Sequence, residues 1–448
     1  MRVRQVAEKR SSAGRARLWD RLAAVLLILA SVILVCVHVP KHDTVSPIDE
    51  YMYIDYVSKV SSQFVVRRGE SVGEVAREFL ACRNIRQISD PLPTHCNPDS
   101  IANPKGFPND GKTTADIYTP FSFAATRILA QPFILVGVDF ISAARLTGMV
   151  WLAIAAVALF FALRRLRIPV VFSASFASLL VGSSAAFWSN TYVSTDATAM
   201  TAGAVAFYLA VRAWTDPRWM WLFGAAAVVS TVVKLQNLLP FAALALFFLL
   251  ERIREYRVRP DGGWVKSVLM HRTVLIGIGS LVMSAAGEVA WLSVRSALAV
   301  GDAGSLFVPA PFSLAAFTEE LFRFLPGMAE GALDPAQTGP GAIVPVGVLS
   351  LLVVGGVVGL WASSPGLSSS SNLAASVLAV AIFSAPMLAA VSAVMTGQYI
   401  ALVPRYGLSL LPLTIACAAA LFAPRRAMQV PTAIVALGCF ALVLTIPH

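Results

Sequence analysis

Apolar runs recur along this chain at a length that matches a lipid bilayer. They fall at 22–39, 141–163, 168–188, 197–213, 219–233, 235–251, 273–294, 343–362, 373–395, 407–423 and 428–446. A helix that crosses a membrane needs about 20 apolar residues. The pattern therefore predicts an all-α polytopic membrane protein, one domain over residues 1–448, with about 11 transmembrane helices. Run 22–39 follows a basic tail and has no small-residue cleavage site after it, so it reads as a retained first span.

Two polar stretches interrupt this rhythm, 40–120 and 295–342. The first holds eight prolines and 11 of the chain's 25 acids, and loops of that length are uncommon without a function. Within it, Tyr56, Val60 and Phe64 at four-residue spacing predict a helix in 51–80, while 83–115 reads as irregular. Segment 312–325 is expected to hold a short helix. Run 121–138, carrying Arg127 and Gln131, reads as an amphipathic segment on the surface. Runs 219–233 and 235–251 are short, and Lys234, Gln236, Asn237 and Pro240 interrupt them. Broken spans of this kind mark a polar cavity at membrane depth.

Composition agrees: 57% of residues are hydrophobic and 13% charged, against about 25% charged in soluble domains. The net charge of +10 lies largely in tails and short connections rather than on one face, so it does not point to nucleic acid. By the positive-inside rule the N-terminus is cytoplasmic and loops 40–120 and 295–342 are extracytoplasmic, in a multi-pass protein of the cell membrane. Cys36, Cys417 and Cys439 fall in apolar runs. Cys82 and Cys96 flank a polar stretch of the first loop and can pair as a disulfide in an oxidising compartment. The five histidines are scattered, with no zinc spacing among them.

Candidate chemistry gathers at the expected outer face. Asp49 and Glu50 follow Ser46 and Pro47, a helix-start signature with Ser46 as N-cap. Acids there suit the helix dipole, and a helix start can also hold a carboxylate rigidly. Asp196 opens run 197–213 after Ser194 and Thr195, either as a capping acid or as a second acid facing Asp49. Two such acids can hold a divalent cation (Mg, Mn or Ca) and orient an acceptor hydroxyl. Lys234 is either a snorkelling lysine or an anion ligand at membrane depth. Arg405 stands before Tyr406 and Gly407 at a helix start, where a cation is poorly matched to the dipole. With Lys234 it can bind a phosphate. Glu288 and Arg295 either pair or face water.

The layout resembles the GT-C superfamily of membrane glycosyltransferases. The resemblance rests on Ser46-Pro47-Ile48-Asp49-Glu50 after the first span, the large first loop with Tyr118-Thr119-Pro120, Asn190 to Asp196 before a helix, Val233-Lys234-Leu235, and Val403-Pro404-Arg405-Tyr406-Gly407. It implies transfer of a sugar from a polyprenyl-phosphate carrier to an extracytoplasmic cell-envelope acceptor, whether glycan, lipid or protein. It further implies Asp49 as general base, Glu50 and Asp196 as supporting acids or cation ligands, and Lys234, Arg405 and Tyr406 around the donor phosphate. The chain departs from the pattern in having a lone Asp196 rather than an acidic pair, and no soluble module after the last run. Two rival classes are a transporter or flippase for a lipid-linked sugar or anion, and a non-catalytic partner in envelope assembly. A transporter should show polar groups through the full membrane depth and internal repeats. This sequence concentrates them at one face and shows no repeat.

Overall fold

The computed structural model describes residues 2–83, 95–260, 263–302, 312–332, 339–366, 368–396 and 399–446. Among these the regular elements are helices, with a β-bridge between Ser71 and Lys112. Eight helices are long and apolar enough to cross a membrane, or nine if the bent pair Val170–Val181 and Ser184–Thr191 is one span. Their free faces carry large apolar side chains such as Leu26, Val282, Leu351 and Leu437, as expected where the surrounding solvent is lipid. Two more of the expected spans are also helical: Ala197–Thr215, which is mostly buried, and the 15-residue Trp219–Val233.

An ion pair and a set of hydrogen bonds fix the direction of the first spans. Asp20, near the start of the membrane-crossing part of the first helix, meets Arg164 at 2.7 Å, whereas Arg145 lies beside the chain that leaves the helix's C-terminal end. The helix Arg2–His38 and the span Phe140–Arg165 are therefore antiparallel. His38, at the end of the first helix, bonds His42 at 3.1 Å and the Val443 carbonyl at 3.0 Å, which ties the first helix to the last.

The polar loop 40–120 folds over the Arg145 end. Helices Glu50–Gln63 and Glu74–Arg83 bury Tyr51, Tyr53, Tyr56 and Phe79 in a second apolar core that also takes in Phe107 and Phe123. Tyr56 stacks on Phe123 with ring centroids 4.1 Å apart. Cys82 and Cys96 form the expected disulfide. Residues 121–138 give the helix Phe121–Leu135, which exposes Ile128 and Leu135. Segment 312–325 yields the helix Leu314–Glu319 and a following 3-10 turn.

The break at Lys234 is real. Trp219–Val233 stops, Lys234 takes an extended conformation, a 3-10 turn runs over Leu235–Leu238, and Leu239–Val258 resumes the helix. Backbone groups freed by such a break need partners at membrane depth. The Thr119 hydroxyl supplies one to the Val232 carbonyl, and the Asn237 side-chain amide braces the break by reaching the Ser230 carbonyl and the Thr198 hydroxyl, each at 3.2 Å. Facing it, the 3-10 turn Pro404–Leu410 is pressed onto Ala197–Thr215, where a Cβ on Gly203 would collide with the Ser409 carbonyl. On its other side Gly327 lies so close that a Cβ would sit 2.6 Å from Pro404. The turn that carries Arg405 is thus clamped between two glycines, and small residues at such crossings are what let backbones approach.

Candidate functional site

The expected helix start at Ser46 is displaced by three residues. The helix begins at Glu50, and Asp49 precedes it in the left-handed region at φ 59°. The Ser46 hydroxyl instead accepts from the Ile48 amide at 3.1 Å and closes a local turn. Asp tolerates the left-handed region better than most residues. In this conformation the Asp49 side chain makes no cap bond. Its Oδ2 accepts from Arg405 Nη2 at 2.7 Å and lies 3.4 Å from the Tyr53 hydroxyl. A strained residue whose carboxylate is aimed at a partner is a motive for a functional hypothesis.

Glu50 does the opposite. Its side chain is fully buried and takes two parallel bonds from Arg145, each 2.8 Å, with further bonds from the Ser46 amide at 2.8 Å and the Val193 amide at 2.9 Å. Arg145 is completed by the carbonyls of His42 and Thr44. Both oxygens of Glu50 are occupied, and it lines neither cavity that touches Asp49. Of the two acids expected to act together, only Asp49 is presented.

Asp196 precedes the helix Ala197–Thr215 but does not cap it with its side chain. It is buried between two cations, bonded to Lys234 through Oδ1 and 3.8 Å from Arg405 Nε through Oδ2. The structure thus gathers Asp49, Asp196, Lys234 and Arg405 from four separate stretches of chain. Tyr406 joins them, its ring 5.5 Å from the Lys234 ammonium and 5.8 Å from the Arg405 guanidinium.

Asp49, Lys234, Arg405 and Tyr406 wall a cavity of about 270 Å³ together with Tyr53, Tyr118, Gln236 and Glu288, while Asp196 lies behind Lys234 and Arg405 and does not line it. A second cavity, about 440 Å³, lies against Asp49 and Arg405 and is lined by Pro47, Ile48, Glu330 and Val403. Asp49 and Arg405 border both. Arg405 is nine-tenths buried, yet its Nε and Nη1 have no hydrogen-bond acceptor. Buried donors are nearly always satisfied, and an exception points to water or a ligand. Tyr53 and Tyr118 bond each other at 3.2 Å. Burial first, and then neighbouring phenols and Asp49, push both hydroxyls well above the ordinary tyrosine value, so they stay protonated and donate.

A divalent cation does not fit this donor set. Among the described residues no group of three or more His, Cys, Asp or Glu is arranged to hold one, and Asp49 and Asp196 already face Arg405 and Lys234. Glu288 and Arg295, expected either to pair or to face water, do not pair. Arg295 instead bonds Asp116 at 2.7 Å, and Glu288 faces the cavity. Tyr53 was not singled out; its place four residues after Asp49, in the first turn of the helix that Asp49 precedes, was the available signal.

No family model matches this chain. No curated protein matches it either. Among solved structures, an oligosaccharyltransferase of Archaeoglobus fulgidus, crystallised with a tethered acceptor peptide containing the NVT sequon, is similar over 96% of this chain and 56% of its own, at 12% identity and TM-score 0.44. The present chain spans a little over half the length of that protein.

Proposed function

We propose that this membrane protein is a glycosyltransferase that moves a sugar from a polyprenyl-phosphate carrier to a hydroxyl or amide acceptor of the cell envelope, on the extracytoplasmic side. One observation carries the reading. Arg405 is a buried guanidinium with two unused donors, beside Lys234, in a cavity that also presents a carboxylate. A guanidinium and an ammonium with spare donors suit a phosphate leaving group. Asp49, bordering both cavities, suits a base that meets the acceptor from the other side.

In the reaction, the acceptor oxygen or nitrogen attacks the anomeric carbon and its proton goes to Asp49. The bond from that carbon to the phosphate oxygen breaks, and Arg405 and Lys234 take up the charge on the departing lipid phosphate. The phosphate leaves readily, so the protein supplies mainly positioning and charge stabilisation. Asp49 Oδ2 is occupied by Arg405 Nη2. A phosphate that takes up the guanidinium loosens this hold, so donor binding would free the carboxylate for the acceptor proton. Tyr53 keeps Asp49 oriented from its other side.

The test is reconstitution. Purified protein in liposomes, given polyprenyl-phosphate-linked sugars and candidate acceptors, should release lipid phosphate and form a glycosylated product seen by mass spectrometry. Movement of intact lipid-linked sugar between leaflets with no cleavage would overturn the reading in favour of a flippase.

A further inference from the structure

Far from Asp49, the helix Leu239–Val258 runs out through Arg252, Arg254 and Arg257, and Arg259 follows it. The chain then turns through Val265–Leu269 into the helix Arg272–Ala297. Residues 252–272 hold six Lys and Arg against two acids, of which Asp261 lies outside the described residues. Nearby acids are already answered. Glu255 accepts from Arg252 at 2.6 Å, and Glu251 accepts from Arg254, Ser369 and Asn372. The Arg259 backbone N–H donates to the Glu255 carbonyl at 2.9 Å, and its guanidinium makes no hydrogen bond or ion pair with a described residue. Arg252, Arg254 and Arg259 line a cavity of about 540 Å³ with Tyr256 and Ser267, and Arg254 Nε is buried there with no acceptor.

Val258 gives this basic cavity an apolar rim, and the turn that supplies the lining Ser267 also exposes Trp264, Val265 and Met270. Two helices long and apolar enough to cross a membrane end here, so these side chains sit at the level of the lipid headgroups, where Trp is favoured and apolar groups are buried. A soluble anion would account for the arginines but not for the rim. A cluster of four to eight basic residues beside a span is the usual anionic-lipid signature.

We propose that this cavity binds the phosphate of an anionic phospholipid, with Arg252, Arg254 and Arg259 as its donors and Trp264, Val265 and Met270 set among the neighbouring acyl chains. The test is native mass spectrometry on the full-length protein, titrated with phosphatidylglycerol or phosphatidylcholine. Wild type should retain phosphatidylglycerol about tenfold better. The double variant Arg252→Gln/Arg259→Gln should lose about tenfold or more of that preference and keep its binding of phosphatidylcholine. Arg259→Gln alone, at an exposed and unpaired position, should lose part of it and guards against misfolding of the double variant. Arg425→Gln/Arg426→Gln, at another basic turn, should lose none. Undiminished phosphatidylglycerol retention in both Arg259 variants would overturn the proposal. Equal loss in the Arg425/Arg426 control would overturn it too, as non-specific surface charge. Displacement of the lipid by inorganic phosphate would overturn it as a free-anion site.

Discussion

Asp49 and Glu50 are neighbours in the chain, and each meets an arginine, yet the two pairs are built differently. Glu50 and Arg145 are both almost completely buried, and every oxygen of the acid has a protein donor. Asp49 keeps 44% of its side chain exposed, and its Arg405 keeps two donors unused. A saturated pair has nothing left to offer a ligand. An unsaturated one stays in a folded protein only if its spare groups find water or a ligand. The backbone makes the difference: Asp49 sits in the left-handed region and Glu50 in the first turn of the helix, so adjacent side chains leave in different directions.

The largest expected effect separates the two acids by activity. Asp49→Asn keeps the shape and removes the charge. If Asp49 is the base, sugar transfer by the purified protein should fall by about 10²- to 10⁴-fold, with the thermal midpoint near that of the wild type. Undiminished turnover would remove Asp49 from the mechanism and erase the contrast with Glu50.

Glu50→Gln should do its damage in the fold. It leaves the Arg145 guanidinium buried without a counter-charge, and breaking a buried pair on one side costs about 3–5 kcal/mol. The measurement is the thermal midpoint in a fixed detergent, or the folded yield. A variant as stable as wild type but inactive would place Glu50 in the chemistry after all and reverse the comparison.

Arg405→Lys tests the open pair more finely. The charge stays and the fork is lost, so the spare donors Nε and Nη1 go with it. A charge-assisted bond contributes about 1.5–3 kcal/mol, which corresponds to roughly a tenfold to hundredfold rise in KM for the lipid-phosphate donor. A fall in kcat with KM unchanged would mean that Arg405 serves Asp49 rather than the phosphate.

Much of this contrast was out of reach of the sequence, for physical reasons. The interruption at Lys234 was legible because polar residues inside apolar runs have few structural excuses, and the helix breaks there. Asp49, Asp196, Lys234 and Arg405 were legible as charges at one expected membrane face, and they share one site. The Ser46-Pro47 cap signal was misleading, because a local hydroxyl turn competes with the cap for the same serine. Which acid is open could not be read at all. It depends on Arg145, 95 positions from Glu50, on a stretch whose pattern says only that it spans. Long-range pairing of that kind leaves no periodic trace. The same holds for Arg295, which bonds Asp116 rather than Glu288.

The smallest expected effect concerns the hydroxyl that steadies the open acid. Tyr53→Phe removes the donor 3.4 Å from Asp49 and 3.2 Å from Tyr118. At 3.4 Å the bond to Asp49 is long and weak for a hydroxyl on a carboxylate, so it is worth about 0.5–1.5 kcal/mol and kcat/KM should fall by roughly twofold to tenfold. The pH dependence gives this a second readout. Folding holds the Tyr53 and Tyr118 protons, since burial raises both hydroxyls above the ordinary value. The associated stability is fully present below about pH 10, the unfolded tyrosine value, and is lost as pH rises beyond it. Neither phenol should therefore limit transfer between pH 6 and about 9. Wild type and Tyr53→Phe should differ by a constant factor across that range, and the thermal midpoint of wild type should drop faster than that of the variant above it. A gap in rate that closes as pH rises below about 9 would mean that Tyr53 ionises during turnover, and the orienting role assigned to it beside Asp49 would have to be given up.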